Sequence, residues 1–269
     1  MQLISCHEGR LLTLAEAQFR ASAGRAFRTG LEALDSLAPE GLFSRGAVHE
    51  LLSHPAHGKP LFVATLLARS AIGVTPLAAS RTMNLETAGH WCPVAARSFV
   101  REAASGVTRS GAVIWSDPHH ELYPPALSLH GIPLEQVYLL HPSEADQTWA
   151  VAECLRCKGV GAVVAAIPRL TRVEARRLQL AAEAGGTTGI FLRPAGTGGA
   201  DIYSAATRWL VRPAPGLRTV QRWSIQLLHG HGGRVGHTVI LEYCRENHLV
   251  RATDQLADRP SRKAQPAVA

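Results

Sequence analysis

The sequence predicts an α/β fold built on a mostly parallel central sheet, and three observations carry that expectation. Short apolar runs suited to strands alternate with amphipathic runs suited to helices from Ala47 to Arg193, the order of a doubly wound sheet. Val160 to Ile167 is almost continuously apolar, as a strand covered on both faces requires. Of the 269 residues, 46% are hydrophobic and 18% charged, enough apolar material for one substantial core. The expected organisation is an N-terminal helix over 1–28, a core domain over 29–244 with an insertion over 73–110, and a flexible basic tail over 245–269.

The elements follow in order. From Gly9 to Ala26, Leu11, Leu12, Leu14, Ala15 and Phe19 give an amphipathic helix that leaves Arg10, Glu16, Arg20 and Arg25 for solvent or a partner. Thr29 to Leu37 is a short helix, Gly41 to Gly46 a glycine-bounded turn, and Ala47 to Leu52 a strand that enters a loop and helix from Ser53 to Arg69. Beyond Gly73 the pattern is irregular, with one helix near Ala95 to Ala104. Gly111 to Asp117 is a buried strand ending in a carboxylate, and Pro124-Pro125 opens a helix, since proline is tolerated in a first turn. Gln136 to Leu140 is a strand.

Ser143 then has the character of an N-cap, with Thr148, Val151, Ala152 and Leu155 on one helix face before Gly159 stops it. Thr171 to Ala184 is a helix ended by Gly185-Gly186, and Gly189 to Arg193 the next strand. In the final third, Ala205 to Arg212, Gln221 to His229 and His237 to Tyr243 are strands joined by glycine-rich turns, a hairpin extension of the sheet. From Arg245 the chain is charged and unpatterned, which favours a flexible tail.

Composition narrows the function classes. The chain contains no stretch near the ~20 apolar residues of a membrane span, and its first residues lack the layout of a signal peptide, so the cytoplasm is the expected location and no membrane is involved. Five scattered cysteines fit reduced thiols. The net charge of +7 and pI of about 9.6 suit a polyanion or an acidic protein partner. However, only three of the 28 basic residues are lysines and the charges are dispersed, so an arginine excess set by genome base composition is an equal account.

A working phosphate loop needs a leading glycine, outward backbone N–H groups, a lysine for the β/γ-phosphates and a Ser or Thr hydroxyl on magnesium. Ser53-His54-Pro55-Ala56-His57-Gly58-Lys59-Pro60 places Gly58 and Lys59 correctly. Ser53 stands where the first glycine belongs, Pro55 removes a donor and Pro60 replaces the hydroxyl. A strand-to-helix loop with an ordinary exposed lysine is the simpler account. Val163 to Pro168 ends without the acid that would hold a metal through water, and Asp117 remains at the preceding strand's end. ATP hydrolysis and a metal are therefore not expected, whereas weak ATP binding through a vestigial Gly58-Lys59 site is left open.

Thr29-Gly30-Leu31-x-x-Leu34-Asp35, Gly41-Leu42-x-x-Arg45-Gly46 and the strand into Ser53 resemble the start of the RecA/Rad51 ATPase core. His119 stands where that family's catalytic glutamate belongs, and the second DNA-binding loop is shortened to about Pro194 to Asp201. A closer resemblance is to the ImuA family, also described as SulA-like. It is carried by Gly46 to Leu51, Val113 to Asp117, Leu122 to Leu127, Arg176 to Glu183 and Ala206 to Trp209, in order between Thr29 and Tyr243. The resemblance implies a RecA-like core without catalytic activity, an accessory protein of the SOS-induced mutasome supporting error-prone translesion DNA synthesis. It implies binding to the Y-family-polymerase-like ImuB, with RecA and an error-prone C-family polymerase as further candidate partners and any DNA contact indirect. The alternatives are a nucleotide-dependent DNA-binding ATPase and a SulA-like inhibitor of cell division.

Other constellations carry less. Cys154 and Cys157 form a C-x-x-C without a second pair, so no zinc site is assigned. His119-His120-Glu121 lacks a nucleophile or metal partner and is simplest as a strand-end loop. If Leu170, Val173, Ala181 and Ala184 form the buried stripe of their helix, Arg177 falls at its centre and Arg176 points aside. That leaves an internal ion pair on one side, and a partner-binding or phosphate-binding role for Arg176 and Arg177 on the other, equally open. Trp115 and Trp209 are expected in the core, and the exposure of Trp223 is left open.

Overall fold

A computed structural model describes residues 25–73, 111–196, 205–216, 219–246 and 250–253, together with the backbone of 4–7 and 10–13. β1 (Ile4–His7) and β2 (Arg10–Thr13) pair antiparallel. The helix expected from Gly9 therefore does not begin there, because only Glu8-Gly9 separates two short strand-forming runs in sequence, a spacing that favours a hairpin. The remainder of that expected helix, 14–24, lies outside the described residues, as do most of the insertion (74–110), its expected helix near Ala95 to Ala104, and residues 254–269.

β3 (Ala26–Phe27) pairs with β4 (Phe43–Ser44) across the short helix α1 (Glu32–Asp35). The Thr-Gly-Leu-x-x-Leu-Asp motif has a local reason. The buried Asp35 carboxylate accepts from the Thr29 amide at 2.9 Å, the Thr29 hydroxyl at 2.7 Å and the Gly30 amide at 3.2 Å, which ties the entry of the helix to its end.

The core proceeds through β5 (Val48–Ser53), α2 (Leu61–Ala71), β6 (Ala112–Ser116), α3 (Pro125–Leu129), β7 (Val137–Leu140), α4 (Gln147–Arg156), β8 (Val160–Ala166), α5 (Arg172–Gly185) and β9 (Thr188–Pro194). It closes with β10 (Thr207–Ala214), β11 (Val220–Gly230), β12 (Thr238–Cys244) and β13 (Val250–Thr253). Nine strands form one mixed sheet in the order β13-β12-β11-β10-β5-β9-β8-β6-β7. β5 to β10 pair parallel, and β11, β12 and β13 each join antiparallel. The fold is thus α/β with a large, mostly parallel sheet, as expected. The expected tail does not start at Arg245, because Val250–Thr253 completes the sheet edge, with Ala252 packed against the core.

Alternation along the strands sorts side chains into two layers. On one face Leu51, Val113, Val164 and Ile190 meet the Val63, Leu66 and Leu67 surface of α2, with Trp115 and Trp209 buried as expected. On the other, Val48, Val163, Ala165 and Phe191 meet Val151 and Leu155 of α4 and Leu178 and Ala182 of α5. α4 starts at Gln147 and not after Ser143, because the Ser143 hydroxyl is spent on a turn ahead of the helix: it donates to the Asp146 carboxylate at 2.6 Å and accepts the Asp146 amide at 3.2 Å. Among the described residues no helix is long and apolar enough to cross a membrane.

Candidate functional site

The loop carrying Gly58 and Lys59 leaves the carboxyl end of β5, the sheet position where open α/β folds gather ligands. Three of its amides and the Ser53 hydroxyl are turned inward. The His54 ring accepts the Ala56 amide at 3.2 Å, the His57 amide donates to the His54 carbonyl at 2.8 Å, the Gly58 amide to the Pro55 carbonyl at 3.3 Å, and the Ser53 hydroxyl to the Gly58 carbonyl at 2.7 Å. Gly58 itself sits at φ 71°, a conformation open to glycine and strained for other residues. Pro60 precedes α2 and supplies no side-chain cap.

Across this edge, Lys59 forms an ion pair with Glu121. The buried Asp117 carboxylate accepts the Glu121 amide at 3.1 Å and the Leu122 amide at 2.9 Å, so both its oxygens hold the turn that follows β6. His119 faces Glu144 at 3.6 Å, and the His120 ring stacks on His141 at 3.9 Å. At the end of β8, where an acid is missing, the Ala166 carbonyl accepts from the Gln147 side chain at 3.1 Å. The space bounded by Lys59, Trp115, Asp117, Glu121, Ala166 and Leu192 is about 30 Å³, room for about one water, whereas cofactor pockets run to several hundred cubic ångströms.

Two polar side chains in the middle of the sheet escaped the sequence reading. Glu50 of β5, 1% exposed, lies between Arg193 of β9 at 2.8 Å and Arg208 of β10, whose Nε is also 2.8 Å away, an ion pair more than a directed hydrogen bond. Beside it, His49 Nδ1 contacts the Thr207 hydroxyl at 2.7 Å and Nε2 the Ser44 carbonyl at 2.9 Å, while the Trp209 indole N–H donates to Thr207 Oγ1 at 2.7 Å. Desolvation pushes the His49 pKa down to about 4, against a smaller upward pull from the Ser44 carbonyl. His49, Glu50, Thr207 and Trp209 are buried, and their contacts tie β5 to β4, β9 and β10, which is structural work. Their partners are distant in sequence, and no local pattern announces them.

Arg176 and Arg177 lie on a different element. α5 opens with a capping box between Thr171 and Glu174 and closes at Gly186 in the left-handed conformation. Its buried face is Ala175, Leu178, Gln179, Ala181 and Ala182, with the Gln179 carbonyl oxygen accepting the Val48 amide at 3.0 Å. The expected stripe is therefore corrected: Val173 is 77% exposed, Ala184 is exposed, and both Arg176 and Arg177 face outward. They border an open cleft of about 490 Å³ with Arg156, Arg172, Val173, Leu180 and Ala181. Of the remaining motifs, Cys154 and Cys157 are free thiols at the end of α4, and burial raises the Cys154 pKa above its ordinary value. Trp223 is half-buried, stacked on Phe62 at 4.3 Å.

No family model matches the chain. It is 31% identical over 182 residues to protein ImuA of Caulobacter vibrioides (strain NA1000 / CB15N), across 60% of this chain and 74% of that protein. ImuA of Caulobacter vibrioides strain ATCC 19089 matches to the same extent. The cell division inhibitor SulA of Pectobacterium carotovorum subsp. carotovorum (strain PC1) is 36% identical over 98 residues, 36% of this chain and 58% of that protein. The extent and identity of the first two matches place the relationship well beyond a shared motif, and the chain belongs to the ImuA family.

Proposed function

We propose that this chain is a non-catalytic accessory protein of the SOS-induced mutasome, acting in the cytoplasm to support error-prone translesion DNA synthesis. Membership of the ImuA family supplies the setting. The observation that carries the non-catalytic part is the loop closed on itself. The Ala56, His57 and Gly58 amides are spent within it and Lys59 is held by Glu121. Phosphate recognition by such a loop depends on those amides pointing outward.

The strand order supports a RecA-like core, with the loop-bearing strand β5 between parallel neighbours β9 and β10 and an antiparallel extension beyond. On this reading the core is a scaffold whose work is to bind the Y-family-polymerase-like ImuB, with RecA and the error-prone C-family polymerase as further partners and DNA contacted indirectly. It needs no cofactor and no metal.

Two measurements test this. Co-purification with the polymerase-like protein should yield a stable complex, and its absence at micromolar concentrations overturns the adaptor role. ATP turnover should be indistinguishable between the wild type and Lys59→Ala, so turnover abolished by that substitution would establish the ATPase alternative. The SulA match over 98 residues favours a second reading, inhibition of cell division. Filamentous cells on overexpression would support it, and normal division removes it.

A further inference from the structure

The outer surface of α5 combines two features that folding alone does not require. Val173 and Leu180 are 77% and 47% exposed, at positions seven residues apart and hence on one side of the helix. Around them stand Arg156, Arg172, Arg176 and Arg177, bordering the open cleft of about 490 Å³. Arg156 is paired with Glu153, but among the described residues no carboxylate pairs with Arg172, Arg176 or Arg177. Glu174, nearest in sequence, is committed to capping Thr171, and Glu183 to the Gln179 side chain at 2.9 Å.

We propose that this cleft seats a segment of a partner protein that intersperses acidic with apolar residues, an inference that rests on the adaptor reading above. Charge complementarity selects the acidic component, since three guanidinium groups offer forked donors to carboxylates. The aliphatic floor selects the apolar component, because covering Val173 and Leu180 removes their surface from water. Nucleic acid fits less well: phosphates would satisfy the arginines, but the cleft presents no aromatic ring on which a base could stack. From Arg172 to Leu180 the helix rises about 12 Å, which matches an amphipathic helix of about eight residues laid alongside.

The test is fluorescence anisotropy on the full chain with a labelled 12-residue amphipathic peptide of glutamate and leucine. Its controls are the same peptide with serine for leucine, and a 20-nucleotide oligothymidylate. The expected result is saturable binding with a Kd of about 10 µM. The affinity should fall at least about tenfold with R176E/R177E and with L180D, all exposed positions where circular dichroism should show an unchanged fold. No saturable binding, equal binding of the serine peptide, or preferred arginine-dependent binding of the oligonucleotide overturns the proposal. Co-purification of R176E/R177E with the polymerase-like partner separates the two readings. A complex formed by the wild type and lost in the variant supports the cleft as the partner's seat, and one retained in both overturns it while the adaptor role stands. If neither forms a complex, the adaptor role fails and the peptide titration alone decides the cleft.

Discussion

Glu50 concentrates the energetics of the sheet in one side chain. A carboxylate this deep is tolerated because Arg193 and Arg208 approach it from both neighbouring strands. Glu50→Gln keeps the volume and removes the buried carboxylate charge that Arg193 and Arg208 both face, so urea unfolding should show a loss of about 3 kcal/mol or more. An unchanged midpoint would mean that the arginines find water instead. His49 predicts a pH dependence. Its pKa falls from about 6.5 unfolded to about 4 folded, so between these values the unfolded chain holds the extra proton. The stability conferred by the neutral ring is therefore full above pH 6.5 and lost as pH falls toward 4, a span corresponding to about 3 kcal/mol. Denaturant titrations from pH 7 to 4 should show this slope in the wild type and a shallower one in His49→Gln, with identical slopes removing His49 as the cause.

α5 shows what an element discloses from sequence and what it withholds. The start at Thr171 and the glycines at its end were legible because helix-end signals are local, whereas the capping box that Thr171 makes with Glu174 went unread. The buried face was not. The sequence pattern favoured Val173 for its hydrophobicity, whereas the fold buries the amide of Gln179, which satisfies the first amide of β5. One polar side chain with a distant partner rotated the whole assignment, and with it the placement of Arg177. The α4–α5 contact also predicts an intolerant position. A Cβ on Gly185 would stand 2.0 Å from the Leu155 carbonyl oxygen, backbone that a rotamer change cannot move. Gly185→Ala should destabilise by about 2 kcal/mol or more despite alanine's better helix propensity. A stabilised variant would mean that the two helices part at little cost.

At the scale of the molecule, the parallel half of the sheet was legible because β6, β8 and most of β9 are short apolar runs, while its order was not, since β5 pairs with strands more than a hundred residues later in the chain. The strand-to-helix position of the loop was legible, but its inward hydrogen bonds were not, and the pairing of Lys59 with Glu121 joins residues 62 apart and has no local trace. The final strand was missed for the same reason. Val250–Thr253 is too short to stand out in a charged segment, and it becomes a strand only because β12 offers an open edge with Ile240 to Tyr243 in register. Its removal would expose that edge and uncover the core beneath Ala252. A chain ending after Thr253 should therefore melt within about 1 °C of the full chain, whereas one ending after Tyr243 should melt about 4–8 °C lower, the shift expected for a loss near 2 kcal/mol in a domain of this size. Equal melting of the two shortened chains would show that β13 adds nothing to the sheet. A drop already present at Thr253 would instead place stabilising contacts in residues 254–269, and that segment would then have to be kept intact in any search for the partner's binding surface.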